Sequence, residues 1–320
     1  MKIAVVGCGA VGSFYGARLC RAGHEVHFLS RSDYGAVCAR GVRVQSPEGD
    51  FHAHPHCALS PEAIGPAELV LIGLKTTAND QFPCLLPPLL GPTTAVLTLQ
   101  NGLGNEAQLA RVVGPERVLG GLCFVCLNRV APGVIHHSAH GRIVLGEYER
   151  PPSARTQAVA EVLRSAGVSC VVADDLERAH WEKLVWNVPF NGLGVAGAAG
   201  YEAVCAGHRP AARALGPCLT TDRLLAEERW TALVRDLMLE VIATANARHL
   251  GLATGLAEYQ LTRTREMGAY KASTLVDFER GQPLELEALF LAPWRQAQQA
   301  GAVTPRLAAL CRLLGELQPA

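Results

Sequence analysis

Three polar side chains recur at intervals of four in the apolar segment WEKLVWNVPFNG: Lys183, Asn187 and Asn191. Residues four apart lie on one face of an α-helix, so a helix here carries an ammonium group and two amides in one row. A lysine ammonium can stabilise negative charge that develops on an oxygen, and it can donate a proton to that oxygen. The amides can orient the lysine or bind a substrate. The row therefore indicates general-acid chemistry at a carbonyl oxygen.

The same row has a simpler interpretation. On an exposed helix face the lysine would extend into solvent and the two asparagines would be hydrated, with no part in chemistry. Lys183 lies between Trp181 and Trp186, and the two asparagines follow Trp186. The chain also carries the nucleotide-binding motif described next. Polar groups that converge within apolar surroundings are typical of ligand sites. We therefore expect a functional row, with Lys183 as the candidate proton donor.

A glycine motif follows an apolar strand at the start of the chain. KIAVVG predicts a strand, and the next residues form G-x-G-x-x-G at the start of a predicted helix. Such glycines permit a tight turn, a close approach of the backbone to a pyrophosphate, and close packing of the helix on the strand. Amides at the helix N-terminus then meet the phosphates. The candidate cofactor-binding residues of this motif are Gly7, Gly9, Ala10, Val11 and Gly12.

The residues after the second predicted strand indicate which nucleotide binds. NAD-binding sheets usually carry Asp or Glu there to accept from the ribose hydroxyls, whereas this chain has Ser30, Arg31 and Ser32. A cation flanked by hydroxyls suits a 2′-phosphate, so we expect NADPH as the cofactor. The alternative for Arg31 is a solvated surface arginine, and the adjacent glycine motif favours phosphate binding.

Further strand and helix patterns place two more polar groups near the nucleotide. AELVLIGLK at 67–75 and TTAVLTLQNG at 93–102 predict strands of a parallel, doubly wound sheet. Ligands gather at the carboxyl ends of such strands, where Lys75 and Asn101 lie. Both are candidates for the nicotinamide side of the cofactor or for the substrate. Residues 117–147 predict shorter antiparallel strands with turns at 131–133 and 139–141.

Strand patterns end near Asp174, and the rest of the chain shows helical spacing with glycine stops. We therefore predict an α/β Rossmann domain over residues 1–174, which binds the cofactor, and an all-α domain over residues 175–320. The helical domain would bind the substrate. A homodimer is possible, and its contacts would lie in this domain.

Composition limits the partners that the chain can have. Its 320 residues contain 29 Lys and Arg against 29 Asp and Glu, so no global field favours nucleic acid or an anionic membrane. No signal peptide or membrane span is evident, and the eleven scattered cysteines indicate reduced thiols. We expect a cytoplasmic protein with a small-molecule partner. The strand-like run that contains His52, His54 and His56 leaves metal binding open, although Pro55 favours a surface edge or turn.

Over essentially its whole length the chain resembles the ketopantoate reductase (2-dehydropantoate 2-reductase) family. The matching features are GCGAVG at 7–12, Arg31, GLK at 73–75, QNG at 100–102, WEKLVWNVPFNGL at 181–193, and the spacing of Ser273, Asp277 and Glu285. The resemblance implies a Rossmann domain followed by a helical domain like that of 6-phosphogluconate dehydrogenase. It also implies NADPH as the cofactor, and the reduction of ketopantoate or a related 2-oxo acid.

The resemblance implies roles for individual residues in the second domain. Lys183 is the general acid, and Asn187 and Asn191 line the substrate site. Ser273 binds the substrate carboxylate and Glu285 meets its hydroxyl. These roles come from the match to the family and not from residue spacing.

In the first domain the resemblance assigns Asn101 to both cofactor and substrate, and Lys75 to the side of the nicotinamide. The chain departs from the family where Leu284 and Phe290 stand in place of polar groups near the substrate end. This departure keeps open the reduction of a different carbonyl compound with the same machinery. A separate alternative, of a different class, is a non-catalytic NADPH-binding sensor or scaffold.

Overall fold

The computed structural model describes residues 1–209 and 214–318, and the chain divides into two compact units, Met1–Leu176 and Glu177–Ala320. The first unit is built on a ten-stranded sheet. Its strands are β1 (Lys2–Val6), β2 (Glu25–Leu29), β3 (Val42–Gln45), β4 (Phe51–Ala53), β5 (His56–Ala58), β6 (Ala67–Ile72), β7 (Leu90–Thr98), β8 (Val118–Ala131), β9 (Val134–Glu147) and β10 (Cys170–Val172).

Helices connect the parallel strands of this sheet. They are α1 (Ala10–Arg21), α2 (Tyr34–Arg40), α3 (Phe82–Leu85), α4 (Asn105–Val113) and α5 (Ala154–Ser165). Short 3₁₀ turns lie at Thr76–Gln81, Pro87–Leu89 and Pro115–Arg117. Strands that alternate with helices produce the doubly wound arrangement that the sequence predicts, and the Rossmann assignment is confirmed.

The strand order fixes where a ligand would bind. Parallel pairing runs through β5, β2, β1, β6, β7 and β8, after which β9 pairs antiparallel with β8. The chain goes from β1 to β2 on one side and later adds β6 on the other side. In open α/β sheets the crevice for the ligand lies at the carboxyl ends of the strands where the order reverses in this way. The loops that follow β1 and β6 therefore occupy the expected position.

The apolar residues of the central strands explain the two layers of helices. Alternate side chains of a strand point to opposite faces of the sheet. In β1, Ile3 and Val5 join a buried cluster with Phe14 of α1, whereas Val6 joins a second cluster with Leu109 of α4. Both faces of the sheet are thus covered, as parallel sheets require.

The antiparallel part of the sheet is one long hairpin. β8 and β9 pair over most of their length, with irregular register between Phe124 and Val125. The predicted turn at 131–133 joins these strands, but the predicted turn at 139–141 is wrong because β9 continues through it. His140 and Gly141 have positive φ angles of 65° and 134°. A backbone irregularity inside one strand had the sequence signature of a turn.

Every secondary-structure element among the described residues of the second unit is helical. Its helices are α6 (Leu176–Ala196, which begins at the last residue of the first unit), α7 (Tyr201–Ala206), α8 (Thr221–Ala226), α9 (Glu228–Ala247), α10 (Leu256–Arg265), α11 (Ser273–Glu279), α12 (Ala292–Gln299) and α13 (Pro305–Leu317). A 3₁₀ turn lies at Gly197–Ala199 and a π-helical turn at Glu287–Leu291. The predicted all-α second domain is confirmed. Within the described chain, no helix combines the length and apolarity needed to cross a membrane.

Candidate functional site

The glycine motif forms a tight loop between β1 and α1. Gly7 has a φ of +95°, and a Cβ added to it would lie 2.3 Å from the backbone nitrogen of Leu74. A Cβ added to Gly12 would lie 2.2 Å from the carbonyl oxygen of Gly7. Any side chain at these two positions would displace backbone atoms, so both glycines are required by the protein itself.

Gly9 differs from its two neighbours in the motif. A Cβ added there would meet no protein atom within 4 Å, and its φ of −74° and ψ of −160° are accessible to any residue. The protein's own packing therefore gives no reason for a glycine at this position. The open space borders the N-terminus of α1, where first-turn amides such as that of Ala10 lack a side-chain cap. This arrangement fits a pyrophosphate drawn close to the backbone.

The segment that carries Lys75 lies beside this loop. The Gly73 N–H donates to the carbonyl oxygen of Val6 at 2.8 Å, and a Cβ on Gly73 would lie 2.7 Å from the carbonyl oxygen of Gly7. Lys75 follows two residues later, with an exposed side chain. The structure thus brings the sequence-predicted Lys75 into the neighbourhood of the predicted phosphate loop.

A chain of buried amides supports the loops that carry Lys75 and Asn101. Gln100 Nε2 donates to Asn79 Oδ1 at 2.7 Å, and Asn79 Nδ2 donates to Asn105 Oδ1 at 3.0 Å. Asn105 Nδ2 in turn donates to the backbone carbonyl of Asn101 at 3.0 Å. These bonds tie the turn after Lys75 to the loop after β7. Asn79 and Asn105 were not predicted from the sequence, which gave no signal for either.

Removing the first amide of this chain, Gln100, should destabilise the first unit. In a Gln100→Leu variant, Asn79 Oδ1 loses its donor and the Thr98 hydroxyl loses the acceptor that it reaches at 2.9 Å. Unpaired buried polar groups cost about 1–3 kcal/mol each, so we expect a clearly lower thermal unfolding midpoint. Gln157→Leu, at an exposed position of α5, is the matched control and should shift stability by at most about 0.5 kcal/mol. Equal midpoints for both variants would contradict a supporting role for the amides.

The loop after β2 contains a buried acid besides the predicted Arg31. Arg31 is exposed, whereas Asp33, at the N-cap of α2, is only 5% exposed. Asp33 Oδ1 accepts from Arg129 Nη1 at 2.8 Å, and Oδ2 accepts from the Gly133 N–H at 3.1 Å. Arg129 and Gly133 lie 96 and 100 residues further along the chain, so sequence spacing gave no indication of these contacts.

In the second unit, the predicted polar row lies on one continuous helix. α6 runs from Leu176 to Ala196 without interruption at Pro189. Asn187 and Asn191 are 6% and 3% exposed, and Lys183 is partly buried. The interpretation as a solvated surface face is therefore wrong for the two asparagines.

Asn191 and Ser273 are in direct contact. Asn191 Oδ1 accepts from Ser273 Oγ at 3.3 Å and from the Thr274 N–H at 3.1 Å. Ser273 is the first residue of α11, so the amide oxygen of Asn191 satisfies one of the N–H groups that a helix start leaves unpaired. The structure thus joins two predicted site residues that are 82 positions apart in the sequence.

The segment that carries Glu285 is buried and packs against the same helix. Glu285 is 4% exposed and lies two residues before the π-helical turn. Phe290, in that turn, is fully buried, and a Cβ on Gly192 would lie 2.9 Å from its ring. The two departures from the family pattern, Leu284 and Phe290, are therefore buried apolar residues, and Phe290 contacts α6 next to Asn191.

The three candidate metal-binding histidines are exposed, and they lie on two strands and on the connection between them. His52 belongs to β4 and His56 to β5, and these strands pair with β3 and β2 at opposite ends of the strand order. The His56 ring stacks on that of His27 at 4.7 Å. In the part of the chain that the structure describes, no group of three His, Cys, Asp or Glu side chains could hold a metal ion.

Comparison with known protein families accounts for both units. The model described as "Ketopantoate reductase PanE/ApbA" matches residues 3–150, and the model "Ketopantoate reductase PanE/ApbA C terminal" matches residues 211–318. The chain belongs to the ketopantoate reductase family. This confirms the resemblance on which several of the residue roles depend.

Individual relatives in the ketopantoate reductase family match over nearly the whole chain. The 2-dehydropantoate 2-reductase of Nostoc sp. is 37% identical over 316 residues, which cover 96% of this chain and 92% of the relative. The crystal structure of 2-dehydropantoate 2-reductase from Geobacter metallireducens GS-15 has a TM-score of 0.90 and 44% identity and covers 99% of each chain. The enzyme structure from Methylococcus capsulatus has a TM-score of 0.85 and 32% identity, covering 99% of this chain and 96% of the other.

Proposed function

We propose that this protein reduces 2-dehydropantoate (ketopantoate) to pantoate with NADPH. The observation that carries the proposal is the polar row of α6, in which Asn187 and Asn191 are buried and Asn191 is bonded to Ser273. The relatives of the chain at 37% and 44% identity are 2-dehydropantoate 2-reductases. Pantoate formation places the enzyme in pantothenate biosynthesis.

The first unit supplies the cofactor-binding groups. Open space at Gly9 beside the N-terminus of α1 fits the pyrophosphate, and we propose that Ala10, Val11 and Gly12 contribute amides to it. Arg31 would bind the 2′-phosphate, with Lys75 on the nicotinamide side. When bound, NADPH supplies the hydride that adds to the carbonyl carbon.

Lys183 is the proposed general acid. Hydride addition breaks the carbonyl π bond and leaves the electron pair on oxygen as a developing alkoxide. The Lys183 ammonium stabilises this charge and donates a proton to the oxygen, which gives the 2-hydroxy acid. Asn187, one helical turn further along α6, would orient the ammonium or the substrate.

The remaining polar residues would hold the substrate. The 3.3 Å bond from the Ser273 hydroxyl to Asn191 is long, and the Thr274 N–H also donates to the same oxygen. The hydroxyl can therefore rotate to a substrate carboxylate while Asn191 keeps one of its donors. We propose this role for Ser273, a contact with the substrate hydroxyl for Glu285, and contacts with cofactor and substrate for Asn101.

We propose residues 1–174 as the cofactor domain and residues 175–320 as the helical substrate domain. A cytoplasmic location and a homodimer through the helical domain remain predictions. Cell fractionation would test the first and light scattering of the purified protein the second.

A substrate panel tests the proposed reaction. Oxidation of NADPH by the purified protein would be followed with ketopantoate and with branched and unbranched 2-oxo acids. We expect the highest kcat/KM with ketopantoate. A higher value for another 2-oxo acid would assign a different substrate, whereas tight NADPH binding without oxidation on the whole panel would indicate the non-catalytic sensor.

A further inference from the structure

We infer that Arg129 sets the preference of this protein for a 2′-phosphorylated cofactor by neutralising Asp33. The inference deepens the proposed function and rests on its assignment of NADPH. Arg129 lies in the β8–β9 hairpin, far in sequence from the glycine motif and from Arg31.

The position of Asp33 would disfavour a 2′-phosphate on the cofactor if its charge were not neutralised. In dinucleotide-binding sheets, an acid near the end of the second strand accepts hydrogen bonds from the ribose hydroxyls. A carboxylate there repels a 2′-phosphate and so selects the cofactor without one. In this chain β2 ends at Leu29, and Asp33 follows within the same loop as Arg31. An uncompensated Asp33 would thus oppose the charge of Arg31.

The structure shows that the Asp33 carboxylate is fully engaged by the protein. Its side chain is 7% exposed, and Oδ1 accepts from Arg129 Nη1 at 2.8 Å and from the Ser32 hydroxyl at 3.1 Å. Oδ2 accepts from the Gly133 N–H at 3.1 Å. The carboxylate is therefore turned toward the hairpin, where donors other than ribose hydroxyls satisfy its oxygens.

Backbone contacts hold the hairpin tip against the end of α2 and the start of β3. The carbonyl oxygen of Gly133 accepts from the Arg43 N–H at 2.8 Å, and a Cβ on Gly133 would lie 3.1 Å from the carbonyl oxygen of Gly41. Gly133 also has a φ of +72°, which favours glycine. The tip is thus fixed near α2 by contacts that do not involve Arg129, so a change at Arg129 should leave the hairpin in place.

The charge balance of the loop depends on Arg129. Arg31 and Asp33 alone would cancel, whereas with Arg129 the three side chains carry a net positive charge that favours a phosphate dianion. The Arg129 side chain is 40% exposed, and its Nη1 also lies 3.4 Å from the Ser32 hydroxyl. It therefore compensates Asp33 at the surface where the ribose phosphate would approach.

Cofactor affinities of charge variants test the inference without any substrate. Dissociation constants for NADPH and NADH would be measured by fluorescence titration for the wild type, Arg129→Met, Asp33→Asn and the double variant. We expect Arg129→Met to lower the preference for NADPH over NADH by about tenfold or more, since it exposes the phosphate to an unbalanced carboxylate. NADH affinity serves as the internal control for folding, and it should be kept or improved.

The double variant separates charge neutralisation from direct phosphate binding. With Arg129 absent, an asparagine at position 33 can accept from the Gly133 N–H and donate to the Ser32 hydroxyl, so its geometry is satisfied. We expect the preference for NADPH to return to within about threefold of the wild type.

Two results would overturn the inference: an unchanged preference in Arg129→Met, or a lost preference that the double variant does not restore. A failure of the proposed reaction would look different. In that case the wild type would not oxidise NADPH with any 2-oxo acid, whatever the ratio of its dissociation constants.

Discussion

Replacing Lys183 by alanine is expected to lower kcat by about 10²- to 10⁴-fold, the usual range for the loss of a general acid. The developing alkoxide would then have to take its proton from water, and it would lack the positive field of the ammonium. Steady-state rates of NADPH oxidation with saturating ketopantoate measure the effect. Because Lys183 is only partly buried, its removal leaves a small cavity, and the fold should be retained.

A matched control on the same helix makes this result specific. Arg178 is 50% exposed and forms an ion pair with Glu182 at 3.3 Å, and exposed pairs of this kind contribute little to stability. Arg178→Ala removes a positive charge from α6 and should keep kcat within about threefold of the wild type, since surface changes are usually mild. Small primary amines in the buffer should partly rescue Lys183→Ala, whereas a quaternary ammonium salt should not. Full kcat in the alanine variant would refute the general-acid role.

The features that sequence predicts well are those with a local repeat. The spacing of Lys183, Asn187 and Asn191 follows from the helical period alone, and the structure places them on one uninterrupted helix. The glycine loop could also be predicted from the sequence, because strand, turn and helix follow one another within about twenty residues. For these elements the local pattern and the final fold agree.

The contacts that support the site could not be predicted in this way, because they join distant parts of the chain. Asn191 meets Ser273 across 82 positions, and Asp33 meets Arg129 across 96. No sequence pattern around either residue of a pair indicates its partner. Tertiary packing alone brings them together. The family resemblance named Ser273 but gave no reason for its place beside Asn191.

In the β8–β9 hairpin the sequence predicted a turn that the structure does not contain, because strand pairing overrides the local turn pattern. Ala139, His140 and Gly141 resemble a turn, yet β9 continues through them. Pairing with the long strand β8 on both sides of the irregularity stabilises the extended conformation despite the positive φ of two residues. This long hairpin also brings Arg129 and Gly133 to Asp33.

Gly9→Val should weaken NADPH binding by about 10²- to 10⁴-fold, which corresponds to the loss of two charge-assisted hydrogen bonds at about 1.5–3 kcal/mol each. A Cβ at position 9 has no protein atom within 4 Å, so we expect the added side chain to occupy the space proposed for the pyrophosphate. The backbone angles suit valine, and the poorer helix N-cap should cost at most about 1 kcal/mol of stability. Fluorescence titration and thermal unfolding measure the two effects separately.

Gly12→Ala is the contrasting variant, because it should lower the stability of the protein itself as well as the affinity for NADPH. Its Cβ would lie 2.2 Å from the carbonyl oxygen of Gly7, so α1 or the loop must shift and the unfolding midpoint should fall. Gly9→Val should therefore lose binding with nearly normal stability, whereas Gly12→Ala should lose both. If Gly9→Val binds NADPH as tightly as the wild type, the pyrophosphate does not lie over Gly9. The glycines of the loop would then serve only the close packing of α1 on β1, and the assignment of the phosphate site to this loop would fail.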